Sequence, residues 1–248
     1  NLVHAIYETF DPGAPDLAAE VAAHAAQWLH RMPVGSGTSG HLGVTELAEA
    51  LLPAMLTPLG AVADDRRLCD LPARDRLAEL DFEYALAGGD RPTRLILLAE
   101  IAGVLRRHLP ASDLLASYAE RLEDPLMADE VLRGFLVGSI DAVFRITAED
   151  RTRYVIVDYK TNWLGPLEAD TVLQVGHYTP TAMATAMMDA HYPLQALLYA
   201  VALHRFLRWR LPDYRAEDHL GGVAYLFVRG MAGPDTPVVD GMPLRPAR

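Results

Sequence analysis

Residues 134–160 constrain this chain more than any other stretch, because they hold two runs of β-branched and aromatic residues that read as strands. The first contains Gly134-Phe-Leu-Val-Gly-Ser-Ile-Asp141-Ala-Val-Phe144, and the second Tyr154-Val-Ile-Val-Asp158-Tyr-Lys160. The polar Ala148-Glu149-Asp150-Arg151 supplies a turn between them. Side chains on a strand alternate faces, so Asp158 and Lys160 share a side with Ile156, while Val155, Val157 and Tyr159 point the other way. Asp141 ends a similar apolar run on the neighbouring strand. Two carboxylates and an ammonium on apolar strands are costly to bury without partners, and a divalent cation with a phosphate would supply them.

Around this pair the pattern alternates between helix and strand. Leu2, Ile6 and Phe10 mark a helix over 1–10, with His4 and Glu8 four apart on another face. Asp16 is placed to cap an Ala-rich helix ending near His30, and Thr45 to cap one ending near Met55. Between them, 33–40 is a loop by composition. Residues 77–86 alternate acidic and apolar, which is strand period, and put Glu79, Asp81 and Glu83 on one face, with Gly88-Gly89-Asp90 ending the run. Helices are expected over 94–108 and 112–122, then from Asp170 to Asp189, and over 194–210 up to Pro212. Val223–Arg229 reads as a last strand, and the Pro- and Gly-rich tail is expected to be loosely held. The fold class is therefore α/β with an N-terminal helical lobe. The division expected is 1–76 as the helical part carrying His4, 77–231 as the core and 232–248 as the tail.

Composition narrows the function. The net charge of −11 argues against an autonomous tight nucleic-acid binder, although a catalytic module handed its strand by a partner is compatible with it. A bound metal would reverse the local sign for an anionic substrate. The single cysteine, Cys69, leaves no disulfide framework or Cys-rich metal site within the chain and fits a reducing compartment. Apolar runs are interrupted before membrane-span length, so no membrane association is expected. The opening Asn1-Leu-Val-His4-Ala-Ile-Tyr-Glu8 looks like mid-helix rather than a signal peptide, which suggests a piece of a longer chain.

Asp141 followed by Asp158-Tyr159-Lys160 suits phosphodiester hydrolysis on physical grounds. Hard oxygen ligands on strands hold Mg²⁺, which activates water and screens charge in the transition state. Lys160 would orient that water or stabilise developing negative charge. Taken alone, Asp-x-Lys also occurs on any solvated strand; the Val-Ile-Val before it argues for burial.

Three segments carry a family resemblance: Gly138-Ser-Ile-Asp141-Ala-Val-Phe-Arg145, Val157-Asp158-Tyr-Lys160-Thr-Asn-Trp-Leu-Gly165, and Tyr192-Pro-Leu-Gln195-Ala-Leu-Leu-Tyr199 through Arg205. With Gly221–Gly230 as a closing strand, they resemble the C-terminal nuclease domain of RecB-type chains, the beta subunit of exodeoxyribonuclease V. That domain belongs to the PD-(D/E)xK superfamily. The resemblance is dense over 131–231 and implies a restriction-endonuclease-like mixed central sheet flanked by helices. It further implies a Mg²⁺-dependent DNA nuclease in double-strand-break repair and recombination, acting on single strands delivered by a helicase. RecC- and RecD-like subunits, RecA and a cytoplasmic setting are implied with it.

Carried over by position, Asp141 and Asp158 would be metal ligands, Lys160 the catalytic lysine, and the carbonyl of Tyr159 a further ligand. His4 resembles the family's N-terminal metal-binding histidine. The upstream acidic position falls at Asp81, where better-known relatives carry glutamate; the shorter side chain would bind through water, with Glu79 as the alternative on the same face. Gln195 and Tyr199 match a Gln-x-x-x-Tyr element that would contact the phosphate backbone or brace the catalytic strand. Arg205, Arg208 and Arg210 suit phosphate contacts or compensation of the helix dipole. Trp163 suits base stacking or packing, and Met183, Met187 and Met188 suit core or a partner interface. No Walker A motif is present in the chain. The rivals are a non-catalytic nuclease-fold scaffold, which loss of the acidic pair or lysine would mark, and the iron–sulfur branch of these nucleases, whose four thiolates one cysteine cannot supply.

Overall fold

In the computed structural model, residues 2–31, 43–86, 91, 93–149, 151–168 and 172–234 are described. The central sheet has four strands in the order β1-β4-β5-β6: β1 (Arg76–Leu86), β4 (Gly134–Ala148), β5 (Arg151–Lys160) and β6 (Leu220–Phe227). A short ribbon pairs β2 (Ile96–Leu97) with β3 (Val131–Leu132). The helices are α1 (Leu2–Thr9), α2 (Leu17–Arg31), α3 (Val44–Met55), α4 (Leu98–His108), α5 (Tyr118–Leu122), α6 (Pro180–Asp189), α7 (Tyr192–Arg210) and α8 (Ala216–His219). β4 and β5 are antiparallel, with Ala148 facing Arg151 across the turn, and β5 and β6 are parallel. The sheet is therefore mixed and flanked by helices, the α/β architecture expected from the sequence. Among the described residues no helix is long and apolar enough to cross a membrane.

The chain divides into two compact units, one of residues 1–80, 140–179 and 203–248, the other of 81–139 and 180–202. In the first unit the strand alternation decides the core. Ala142, Phe144 and Ile146 of β4 and Val155, Val157 and Tyr159 of β5 face one way, and all are buried with Ile6, Tyr7, Val21, Leu51 and Met55 from α1, α2 and α3. Arg76 anchors α1: its Nη2 donates to the Tyr7 carbonyl at 2.5 Å while the guanidinium lies 4.5 Å from the centre of the Phe10 ring. The Tyr7 hydroxyl donates to the Leu51 carbonyl at 3.1 Å, so the helix is held from two sides.

The second unit has its own core, in which Leu98, Ala102 and Leu105 of α4 pack with Tyr118, Ala119 and Leu122 of α5. Met188, Leu194 and Leu197 lie against it, which gives Met188 a packing role.

Local differences from the sequence reading have identifiable causes. Asp16 does cap α2, accepting the Ala19 N–H at 3.0 Å. Thr45 does not cap α3: the helix starts at Val44, Gly43 holds the N-cap position, and no side-chain cap bond forms. The helix expected from 94 begins only at Leu98, because Ile96 and Leu97 pair with Leu132 and Val131. The one expected over 112–122 shortens to α5, since Asp113 accepts the Leu115 N–H and holds a turn instead. α6 starts at Pro180, after a 3₁₀ turn at Val175–His177, and not near Asp170, which lies outside the described residues. The expected loop at 33–40, the Gly88-Gly89-Asp90 stop and the tail beyond 234 also lie outside them. α7 begins at Tyr192, two residues before the expected 194, with Pro193 at its second position, where a missing N–H costs nothing.

Candidate metal centre

The apolar run Val155-Ile156-Val157 carries β5 through the interior, and Asp158 and Lys160 follow it at the strand's end. Only 3 % of the Asp158 side chain and 11 % of the Lys160 side chain is exposed. Lys160 Nζ lies 2.5 Å from Asp158 Oδ2 and 5.1 Å from the centre of the Tyr225 ring. The parallel register brings Tyr225 beside Asp158. The carboxyl of Asp158 is raised above its ordinary range, first by burial and then by the charge of Asp141, against the pull of Lys160. Its Oδ2 is buried and held by the Lys160 ammonium.

Asp141 is the next β4 residue beyond the last β4–β5 pair, Ala142 with Val157. The Tyr159 N–H donates to its Oδ2 at 2.9 Å, and His4 Nδ1 approaches the same oxygen at 3.3 Å. This bond raises the His4 imidazole above its usual value, with the charges of Asp141, Asp158 and Glu8 adding and burial opposing. The His4 ring meets Tyr159 edge-on at 6.2 Å, and Tyr159 stacks on Tyr7 at 4.9 Å. Burial pushes the Tyr159 phenol up to about 12, so it stays neutral and serves as packing, while its peptide group faces Asp141.

His4, Asp141, Asp158, the backbone of Tyr159 and Lys160 thus converge at one end of the β4–β5 ladder. Asp81 and Glu79 are both exposed on β1; Asp81 belongs to the second unit, and Glu79 to the first with a left-handed φ of 50°. Gln195 and Tyr199 lie in the second unit, where the Gln195 amide donates to the Tyr199 hydroxyl at 3.0 Å and the Tyr199 ring meets Phe82 edge-on at 5.9 Å. Trp163 closes its own loop, its indole N–H donating to the Pro166 carbonyl at 3.0 Å. Glu8, absent from the sequence-derived site, joins it: one donor atom each of His4, Glu8 and Asp141 lie within 4.8 Å of one another. The signal was the spacing of His4 and Glu8, four apart on one helix face. Tyr225 carried no such signal, because only strand register brings it to Lys160.

The donor set fits a hard divalent cation. It offers one imidazole and the carboxylates of Glu8 and Asp141, with the buried carboxylate of Asp158, held by Lys160, on the neighbouring strand.

No protein-family model matches the chain. Among curated proteins it is similar to the RecBCD enzyme subunit RecB of Mycolicibacterium smegmatis, with 51 % identity over 244 residues, 98 % of this chain and 21 % of that protein. It is 50 % identical over 246 residues to the RecBCD enzyme subunit RecB of Mycobacterium tuberculosis H37Rv, again 98 % of this chain and 21 % of the relative. Identity to the subunit of the same name from Escherichia coli K12 is 35 % over 188 residues, 76 % of this chain and 13 % of that protein. The chain therefore spans about a fifth of the length of the first two relatives.

Proposed function

Because the chain belongs to the RecB family, matching the C-terminal region of those subunits, we propose that it is a Mg²⁺-dependent DNA nuclease domain of the PD-(D/E)xK type, hydrolysing phosphodiesters in double-strand-break repair and recombination. The observation that carries this reading is the convergence of His4, Asp141, Asp158 and Lys160 at one end of the β4–β5 ladder. A non-catalytic scaffold would have no need to bury a carboxylate this deeply beside a lysine. RecC- and RecD-type partners are proposed from the relatives' printed name, that of a RecBCD enzyme subunit, and a DNA substrate from the nuclease reading.

Asp141, Asp158, His4 and the Tyr159 carbonyl would hold the ion. Bound Mg²⁺ would lower the pKa of a coordinated water and offset charge on the scissile phosphate. The chain's own residues do the rest. The Tyr159 amide and His4 orient Asp141 through its Oδ2. Burial under the apolar strands keeps competing water from Asp158 and strengthens every charge interaction there. Lys160 lies against Asp158, and its ammonium would orient the attacking water or stabilise the charge that grows on the phosphoryl oxygens.

The test is Mg²⁺-dependent cleavage of a labelled single strand by the 248-residue chain, stopped by a chelator. Lys160→Gln is expected to lower the cleavage rate by about 10²–10³-fold while Mg²⁺ binding stays within a few-fold of the parent. Equal rates for parent and variant would remove Lys160 from the mechanism. Absence of any metal-dependent cleavage by the parent would favour the scaffold.

The net charge of −11 also predicts weak DNA binding by the chain alone. Fluorescence anisotropy should show affinity for a single strand falling steadily between about 50 and 200 mM salt, as counterion release requires. Tight binding that ignores salt would contradict this.

A further inference from the structure

We infer that Glu8 is a direct carboxylate ligand of the metal, so that α1 supplies two donors and the cation ties this helix to β4; the inference rests on the metal-centre reading above. The donor atoms of His4, Glu8 and Asp141 lie within 4.8 Å of one another, which suits donors around one cation with bonds of about 2.0–2.6 Å. Residues four apart on a helix stand one above the other, so the rotation of α1 that aims His4 at Asp141 also aims Glu8. Glu8 is half buried, and among the described residues its carboxylate makes no ion pair or hydrogen bond. Three other carboxylates of the first unit do find partners: Glu20 meets His24, Asp70 meets Arg67 and Asp75 meets Arg145.

A second observation points the same way. Asp158 Oδ2 is deeply buried and meets the Lys160 ammonium at 2.5 Å, on the strand paired with that of Asp141. Glu8, Asp141 and Asp158 thus bring three carboxylates to this centre, against Lys160 and the His4 imidazole, which is charged only when protonated. Glu79, by contrast, is exposed on β1. The consequence is mechanical as well as chemical: loading the ion should clamp the N-terminal helix against the strands that carry Asp141 and Asp158.

The test uses Mn²⁺ as the probe, because its free-ion spin-resonance signal disappears on binding. In the 248-residue chain, Glu8→Gln is expected to weaken Mn²⁺ binding about tenfold or more, while Glu79→Gln and Asp81→Asn stay within about threefold. Hydrogen exchange should slow across α1 when Mn²⁺ is added to the parent and stay unchanged in Glu8→Gln. The metal-free melting temperature shows whether the variant folds; if Glu8→Gln does not, Glu8→Asp takes its place, with the same loss expected. Binding by the folded Glu8 variant within about threefold of the parent would overturn the inference. A parent that binds no Mn²⁺ would overturn the metal centre and this inference together.

Discussion

Asp158→Asn is expected to abolish Mg²⁺-dependent cleavage, by about 10³-fold or more, and to leave the metal-free chain more stable than the parent at neutral pH. Both effects come from one cause. The Asp158 carboxyl is raised by burial, opposed by Lys160 and reinforced by Asp141, so its charged form is disfavoured in the folded chain. An acid with a folded pKa above its unfolded value of about 4 contributes stability that is fully present below that value and lost as pH rises through the folded one. At neutral pH the ionised carboxylate is therefore a cost, which asparagine, of nearly the same shape, avoids. Lys160 loses its partner in the variant, and that loss opposes the gain. Thermal melts without metal should put the variant above the parent at pH 7, with the gap closing as pH is lowered towards about 4. Adding Mg²⁺ should raise the parent's melting temperature and not the variant's. An asparagine variant that cleaves at the parental rate, or melts well below the parent at neutral pH, would sink the assignment.

Phe144→Ala is expected to cost about 3–5 kcal/mol of folding stability. Phe144 is 0 % exposed and lies at the centre of the β4–β5 face that meets α1, α2 and α3. The guanidinium of Arg76 lies 5.6 Å from the centre of its ring, so truncation also removes that aromatic neighbour of the cation. Since domains hold only about 5–15 kcal/mol in all, the variant should lie close to unfolding at ordinary temperature. Urea denaturation should show a lower midpoint with an unchanged slope. Leu126→Ala is the control: Leu126 is 90 % exposed, and its loss should stay within about 0.5 kcal/mol. A Phe144 variant as stable as that control would mean that the face is not packed as described.

Much of the fold was legible because alternation and helical period are local properties. β1, β4, β5 and β6 each announce themselves by β-branched residues or by in–out alternation, and α1, α2 and α7 by spacing. What misled were signals with a non-local competitor. Ile96 and Leu97 have helix-compatible neighbours but are claimed by Val131 and Leu132, far along the chain. Thr45 is a good cap by type, yet the helix starts one residue earlier, and a cap residue works only at the boundary.

For the site the same distinction holds. Family resemblance picked out His4, Asp141, Asp158 and Lys160, and the face shared by Asp158 and Lys160 follows from strand period alone. Neither could say that Glu8 would lie beside Asp141, or that Tyr225 would come to rest under the lysine.

By itself, then, the sequence determined which residues form strands and helices, which side of each is apolar, and that two aspartates and a lysine lie near the ends of apolar strands. The tertiary structure alone decided that α1 packs where His4 and Glu8 reach Asp141, and that burial raises the Asp158 carboxyl against the pull of Lys160. The reason is physical: periodicity is written in neighbouring residues, whereas the gathering of His4, Glu8 and Asp141 within 4.8 Å exists only once distant segments have packed.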